Sequence, residues 1–150
     1  MIKKISDPPV IRQMVNSDLD RIVEIDLKML GKMRREYWEM KLEMSEKQSN
    51  VYSLVAELDG QVVGFIFGGV SGGEYGMPEN IGWVDSIGVD HHFQRMGTAR
   101  ILFTELSKNL KKAGVDTIRT FVTRRDWRLL KFFNRMGFQE GDMVNLEVDI

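Results

Sequence analysis

Apolar residues recur along this chain with two different periods, and each change of period marks an element. Val10 to Met14 is a short apolar run that predicts a strand. Ser17 and Asp20 have capping-box spacing, and Leu19, Ile22, Val23, Asp26 and Leu30 then recur at helical intervals up to Gly31, predicting a first helix. Met33, Tyr37, Met40 and Met44 fall at i, i+4, i+7 and i+11, one face of a second helix that Ser45 to Asn50 ends. Val51–Leu58 and Gln61–Val70 are β-branched and aromatic runs separated only by Asp59-Gly60, which suits a two-residue hairpin turn.

Ser71 to Asn80, with Gly72, Gly73, Gly76 and Pro78, reads as a mobile loop before a strand from Ile81 to Asp90. From Thr98, the residues Ala99, Leu102, Phe103, Leu106, Leu110 and Ala113 form a helical stripe that stops at Gly114. Thr117–Val122 returns as a strand. Asp126 can cap a short helix carrying Leu129, Leu130, Phe133 and Met136, with Gly137 just past its end. Met143–Asp149 alternates and predicts a final strand. A hairpin meander combined with strand–helix–strand crossovers gives an α/β (α+β) fold, a mixed sheet flanked by helices.

Composition narrows what such a domain can do. At 150 residues and 43% apolar, with no break, repeat or low-complexity tract, the chain is expected to be one domain, 1–150. With no cysteine, a disulfide framework, a Cys-ligated metal and an acyl-cysteine intermediate are all excluded, and no metal site is expected. Its 22 acids and 21 bases leave a formal charge of −1, no global field for a nucleic-acid backbone. Lys3 and Lys4 are followed by Asp7, Pro8 and Pro9 where a secretion signal needs an apolar core. The longest nearly apolar stretch, Val62–Val70, has nine residues against the roughly 20 of a membrane helix. A cytoplasmic protein without membrane or nucleic-acid partners is the expectation.

The chemistry concentrates in one segment. Trp83-Val84-Asp85-Ser86-Ile87-Gly88-Val89-Asp90 runs as a strand into Gln94-Arg95-Met96-Gly97-Thr98-Ala99, a turn and then a helix start. Small residues there let a ligand approach the backbone N–H groups, and the helix dipole makes the place an anion site. Neither the P-loop nor the Gly-x-Gly-x-x-Gly spacing occurs, so some other phosphate-bearing ligand is implied.

This segment resembles the GNAT superfamily of acyl-CoA-dependent N-acyltransferases, whose pyrophosphate loop Gln/Arg-x-x-Gly-x-Gly/Ala is matched by Gln94, Gly97 and Ala99. A second block, Phe132-Phe133-Asn134-Arg135-Met136-Gly137-Phe138, resembles the family's closing aromatic-pair and Gly-Phe signature, so the likeness covers essentially the whole chain. The resemblance implies a mostly antiparallel mixed sheet splayed between its fourth and fifth strands, with acetyl-CoA in the opening. The backbone of Ile87, Gly88 and Val89 would pair with pantetheine, that of Arg95, Met96, Gly97, Thr98 and Ala99 would hold the pyrophosphate after Gln94, and Asp126, Phe132 and Phe133 would complete the cofactor positions. An N–H near Ile87 or Val89 would stabilise the oxyanion, which is worth roughly 3–4 kcal/mol per donor in enzymes. Acetyl would pass directly to a primary amine, on a small molecule or on a protein N-terminus or lysine; the resemblance leaves a homodimer open.

Two positions depart from the family pattern. The tyrosine that protonates the departing thiolate in many members is Phe133 here; three readings are open: the loss costs little because CoA thiolate is a good leaving group near neutral pH, Tyr37, Tyr52 or Tyr75 replaces it from another element, or the chain is a non-catalytic acyl-CoA-binding module. The asparagine that commonly starts the last helix is Asp126. For the base, Asp85 is the first candidate, two residues before Ile87 on the same strand and so on the same face, with a hydrogen-bonded or ion-paired structural role, or the orienting of a water, as the plainer alternative. Glu74 and Glu79 follow as loop carboxylates. His91 and His92 read as exposed turn residues. The methionine stripe reads as core or as an acceptor-pocket wall beside Tyr37 and Trp38. Among Arg119, Arg124, Arg125, Arg128, Lys131 and Arg135, a solvated face and a 3′-phosphate contact are both open, with Arg95 better placed.

Overall fold

The computed structural model describes residues 7–77 and 79–150; Lys3, Lys4 and Pro78, used in the sequence reading, lie outside them. The chain divides into two compact units, one extending to Thr120 and the other running from Phe121 to Ile150.

The first unit is built on five strands, β1 (Val10–Gln13), β2 (Val51–Leu58), β3 (Gln61–Ser71), β4 (Ile81–Val89) and β5 (Ile118–Thr120), which lie in the sheet in chain order. All neighbours are antiparallel except β4 and β5, which are parallel and joined through a crossover helix. At the β2–β3 turn, Asp59 and Gly60 both take positive φ, 51° and 79°, as the two-residue hairpin requires.

Helices α1 (Leu19–Leu30) and α2 (Arg35–Lys47) cover one face of the sheet and α3 (Thr98–Lys112) the other. Against the first face Ile22, Ile25, Trp38, Leu42, Phe65 and Phe67 are fully buried, each worth roughly 1.5–3 kcal/mol of transfer free energy. On the second, Leu102, Leu106 and Leu110 pack onto strands whose inward positions are Gly64, Gly68 and Gly82. A Cβ at Gly68 would lie 2.7 Å from the Leu106 side chain and against the Trp83 carbonyl. Gly68→Ala is therefore expected to lower the urea midpoint by the equivalent of about 1–3 kcal/mol, the usual cost of overpacking. An unchanged midpoint would mean that α3 does not sit this close.

Three expectations are corrected. The buried face of α2 is Trp38, Leu42 and Ser45, so the methionine stripe is not the core: Met33 precedes the helix and is exposed, Met40 is exposed, and only Tyr37 and Met44 are half-buried. Large aromatics fill the space over Phe65 and Phe67, leaving flexible methionines at the margin. The Ser17–Asp20 box does not form. Residues Asn16–Asp18 make a 3₁₀ turn in which the Asp18 carboxylate accepts the Val15 N–H, while Asp20 pairs with Arg35. Finally, Met143–Asp149 forms no strand; Val144, Leu146 and Val148 are exposed. Alternation predicts a strand only where a neighbouring strand supplies the ladder, and among the described residues none pairs with this segment.

The second unit carries α4 (Trp127–Arg135). Asp126 caps it, its Oδ1 accepting the Leu129 N–H at 3.1 Å, and Gly137 follows at φ 96°. No helix among the described residues is long and apolar enough to cross a membrane.

Candidate acyl-transfer site

The site begins with an irregularity in β4. Gly68 faces Val84 on the neighbouring strand and Phe67 faces Ser86, so Asp85 is an extra residue, a β-bulge. Its consequence can be traced through two backbone hydrogen bonds. Before the bulge, the Gly82 N–H bonds the Thr117 carbonyl, which turns the even positions toward β5. After it, the Asp90 N–H bonds the Val63 carbonyl, which turns the even positions toward β3. Alternation then directs the N–H and C=O of Ile87 and Val89 to the opposite edge.

That edge is open. β5 pairs with β4 only at Gly82, Trp83 and Val84, and the Thr120 hydroxyl donates to the Val84 carbonyl at the last of these positions. From Asp85 to Val89, roughly 16 Å of strand, β4 has no partner on this side among the described residues. β5 itself ends at Thr120, so its pairing with β4 stops just before Asp85, where the resemblance expects the fourth and fifth strands to part. Gly88, by contrast, pairs with Phe65, and a Cβ there would meet the Phe65 ring at 2.7 Å and the Met29 sulfur at 2.9 Å.

The bulge overturns one sequence argument. Asp85 and Ile87 were expected on one face because they are two apart. The Asp85 carboxylate reaches Lys41 of α2, whereas Gly64, on the α3 face, would carry its Cβ within 3.3 Å of the Val89 side chain. Ile87 shares the Val89 side, so Asp85 and Ile87 lie on opposite faces. Asp85 is 41% exposed and Lys41 18%. The Lys41 Nζ also lies 5.5 Å from the Tyr37 ring centroid, and the Arg34 guanidinium stacks on that ring at 4.5 Å. Nothing in the helical pattern of α2 marks Lys41 as a partner for β4, and the sequence reading missed it.

At the other end of the open edge the chain turns into α3. Asp90 is the anchor of this turn, only 5% exposed. It receives Arg21 of α1 at 2.6 Å and the His92 N–H at 3.0 Å, and its carbonyl accepts the Phe93 N–H. Burial alone would raise its carboxyl, but the Arg21 and His92 hydrogen bonds and the Arg21 charge outweigh this and hold it below the ordinary 3.8. Stability from this group is therefore complete above 3.8 and is lost as pH falls through the lower folded value. Asp90→Ala, which leaves Arg21 without this partner, is expected to cost about 3 kcal/mol and to flatten the loss of stability below that pH in acid titrations followed by circular dichroism. An unaltered acid transition would remove Asp90 from this role.

His91 and His92 are exposed, as the sequence suggested. The Gln94 side-chain amide donates back to the Val89 carbonyl at 3.3 Å. Arg95 takes φ 64° and Gly97 φ 80°, and α3 starts from Gly97, which has no side chain to cap with. The first-turn N–H groups of Thr98, Ala99 and Arg100 thus point out of the helix start, since the first helical bond is Ile101 N–H to the Gly97 carbonyl. Arg95 and Met96 are exposed around them; Thr98 is buried and Ala99 half-buried.

The remaining candidates fall elsewhere. Glu74 and Glu79 line a shallow recess with Tyr75 and Trp83. Trp38 is core, edge-on to Phe65 with centroids 5.0 Å apart, so it does not wall a pocket. Tyr37 is the tyrosine tied to Asp85, through Lys41. Arg119 bonds the Met77 sulfur at 2.8 Å. Within the second unit Phe133 is 3% exposed, its ring against Phe132 and Phe138 at 5.2 and 4.8 Å, and Arg124, Arg125, Arg128, Lys131 and Arg135 are exposed.

Residues 19–138 match the Acetyltransferase (GNAT) family. Among solved structures, the chain is similar to the aminoglycoside N-acetyltransferase AAC(6')-Iy in complex with CoA, at TM-score 0.83 and 16% identity over 99% of each chain. It is also similar to the PaiA N-acetyltransferase from Thermoplasma acidophilum in complex with coenzyme A, at TM-score 0.72 and 19% identity over 92% of this chain and 94% of that one. A transcriptional regulator from Bacillus halodurans C-125 has TM-score 0.79 and 16% identity, over 95% of this chain and 99% of that one. At these identities the likeness is one of fold.

Proposed function

The chain belongs to the acetyltransferase (GNAT) family, and from that premise we propose that it moves the acetyl group of acetyl-CoA directly to a primary amine. The observation that carries the reading is the open β4 edge, with the Ile87 and Val89 amides directed into it, ending at an uncapped helix start. Pyrophosphate sits at the α3 N-terminus, held by the backbone of Arg95 to Ala99, and pantetheine runs back along Val89 and Ile87. The acyl end then lies near Asp85. An edge-facing amide of Ile87 or Val89 holds the thioester oxygen, and the oxyanion that develops there is stabilised without rearrangement of the site.

The incoming ammonium must lose a proton before attack, and Asp85 is the carboxylate beside that end of the edge. Taking the proton requires exchange of the Lys41 contact. Collapse of the tetrahedral adduct breaks the C–S bond and releases CoA thiolate, whose proton comes from Tyr37 or solvent, since buried Phe133 has none to give. Transfer to the external amine passes through no acyl-enzyme intermediate, in keeping with the absence of cysteine. Asp126, Phe132 and Phe133 enter the proposal as cofactor positions on the family motif alone. The family match runs through the boundary at Thr120, which supports reading residues 1–150 as one acetyltransferase domain; a cytoplasmic location enters the proposal on the sequence reading alone.

Thiol release from acetyl-CoA, measured with a panel of small amines, peptides and lysine-bearing proteins, tests the reading; amine-dependent release is expected. Inactivity across the panel with CoA still bound would favour a non-catalytic CoA-binding module, the reading that Phe133 supports.

A further inference from the structure

We propose that Lys41 is an internal acyl acceptor: with acetyl-CoA in place and no external amine present, its Nζ takes the acetyl group. The inference rests on the acetyl-CoA reading of the β4 edge and concerns what stands at its acyl end.

The open stretch of β4 is bounded on both sides. Beyond Val89 lies the α3 N-terminus, and before Asp85 the edge is closed by β5 and the Thr120 hydroxyl. A ligand anchored by its phosphates at α3 and laid along the edge therefore terminates at Asp85. The Lys41 ammonium is already at that carboxylate, on its Oδ2.

Lys41 is also held there, unlike the lysines on the helix surfaces. Its side chain is mostly covered, against 71% exposure for Lys47 and 64% for Lys108, which pair with glutamates of their own helices. The Tyr37 ring flanks its Nζ, Arg34 stacks on that ring, and Arg34 is fixed by two hydrogen bonds, 2.7 and 3.0 Å, to buried Asp26. This chain of contacts removes most of the rotational freedom of a long side chain before any reaction, which is the condition under which proximity accelerates attack.

The step balances without a further reagent. Lys41 gives one ammonium proton to Asp85, which passes it to solvent; the nitrogen forms a bond to the thioester carbon and the C–S bond breaks. CoA leaves as thiolate and takes a proton from solvent, and the amine loses its second proton as the amide forms. Acetylation removes the Lys41 charge, so Asp85 loses its internal cation and becomes available to an external one.

The experiment uses the full chain with acetyl-CoA as the only acyl source. Intact-mass and peptide mapping over time should show one acetyl group per chain, at Lys41, arriving roughly 100-fold faster than at Lys47 or Lys108. Modification should disappear in Lys41→Arg, which keeps the ion pair but offers no acceptor amine, and should fall to the Lys47 rate in Gly97→Glu. CoA binding is followed by calorimetry on the same wild-type sample. Binding with Lys41 modified no faster than Lys47 overturns this inference and leaves the acetyltransferase reading in place. Absence of CoA binding overturns both. Wild-type modification of Lys41 in a Gly97→Glu protein that calorimetry shows no longer binds CoA would identify it as solution chemistry and also overturn the inference.

Discussion

Gly97→Glu should abolish acetyl-CoA binding while leaving a folded protein. Gly97 is the residue from which α3 starts, and the N–H groups that follow it are those assigned to pyrophosphate. A glutamate side chain there places a carboxylate in the space of the phosphates. A like-charge contact near 4 Å costs roughly 4 kcal/mol at the effective dielectric of a protein surface, or roughly a thousand-fold in affinity. Because Gly97 has φ 80°, any side chain also strains the backbone by about 1–2 kcal/mol. Gly97→Ala separates the two contributions: it carries the strain without the charge and should bind CoA measurably. Calorimetric titration of both variants decides the matter, and wild-type affinity in Gly97→Glu would show that the phosphates lie elsewhere.

Asp85→Asn is expected to lower kcat by about 100-fold, the ordinary range for loss of a general base, with affinity for acetyl-CoA unchanged. The acidic limb of the pH–rate profile should disappear with it. The ion pair to Lys41 makes the outcome informative in either direction. Wild-type kcat and an unchanged profile, accompanied only by a lower denaturation midpoint, would reduce Asp85 to a structural partner for Lys41. The edge amides of Ile87 and Val89 would then carry the catalysis.

How much of this was readable along the chain depended on how local each determinant is. The hairpin at Asp59-Gly60, the cap at Asp126, the αL residues Gly31, Gly114 and Gly137, and the glycine start of α3 all appear where the sequence placed them. Each rests on the φ/ψ preference or hydrogen-bonding reach of residues within a few positions. The loop from Gln94 to Ala99 was legible for the same reason. Failures came where a segment's fate depends on a distant neighbour. Met143–Asp149 alternates like a strand yet finds no ladder, and the second helix turns Trp38 and Leu42 inward in place of its methionines because Phe65 and Phe67 lie opposite.

The amino-acid sequence by itself determined the order of elements from β1 to α4, the turn from Gln94 into the start of α3 and the absence of any cysteine chemistry, because these follow from local periodicity, local backbone preference and residue inventory. Only the tertiary structure decided which way β4 presents its groups. The bulge at Asp85 exists because β3 and β4 pair out of step at Phe67–Gly68, a property of two strands together. That single extra residue turns the Ile87 and Val89 amides toward the open edge and sends the Asp85 side chain to Lys41 on the other face. Spacing along one strand carries no record of it, since alternation assumes the regular pairing that the bulge breaks.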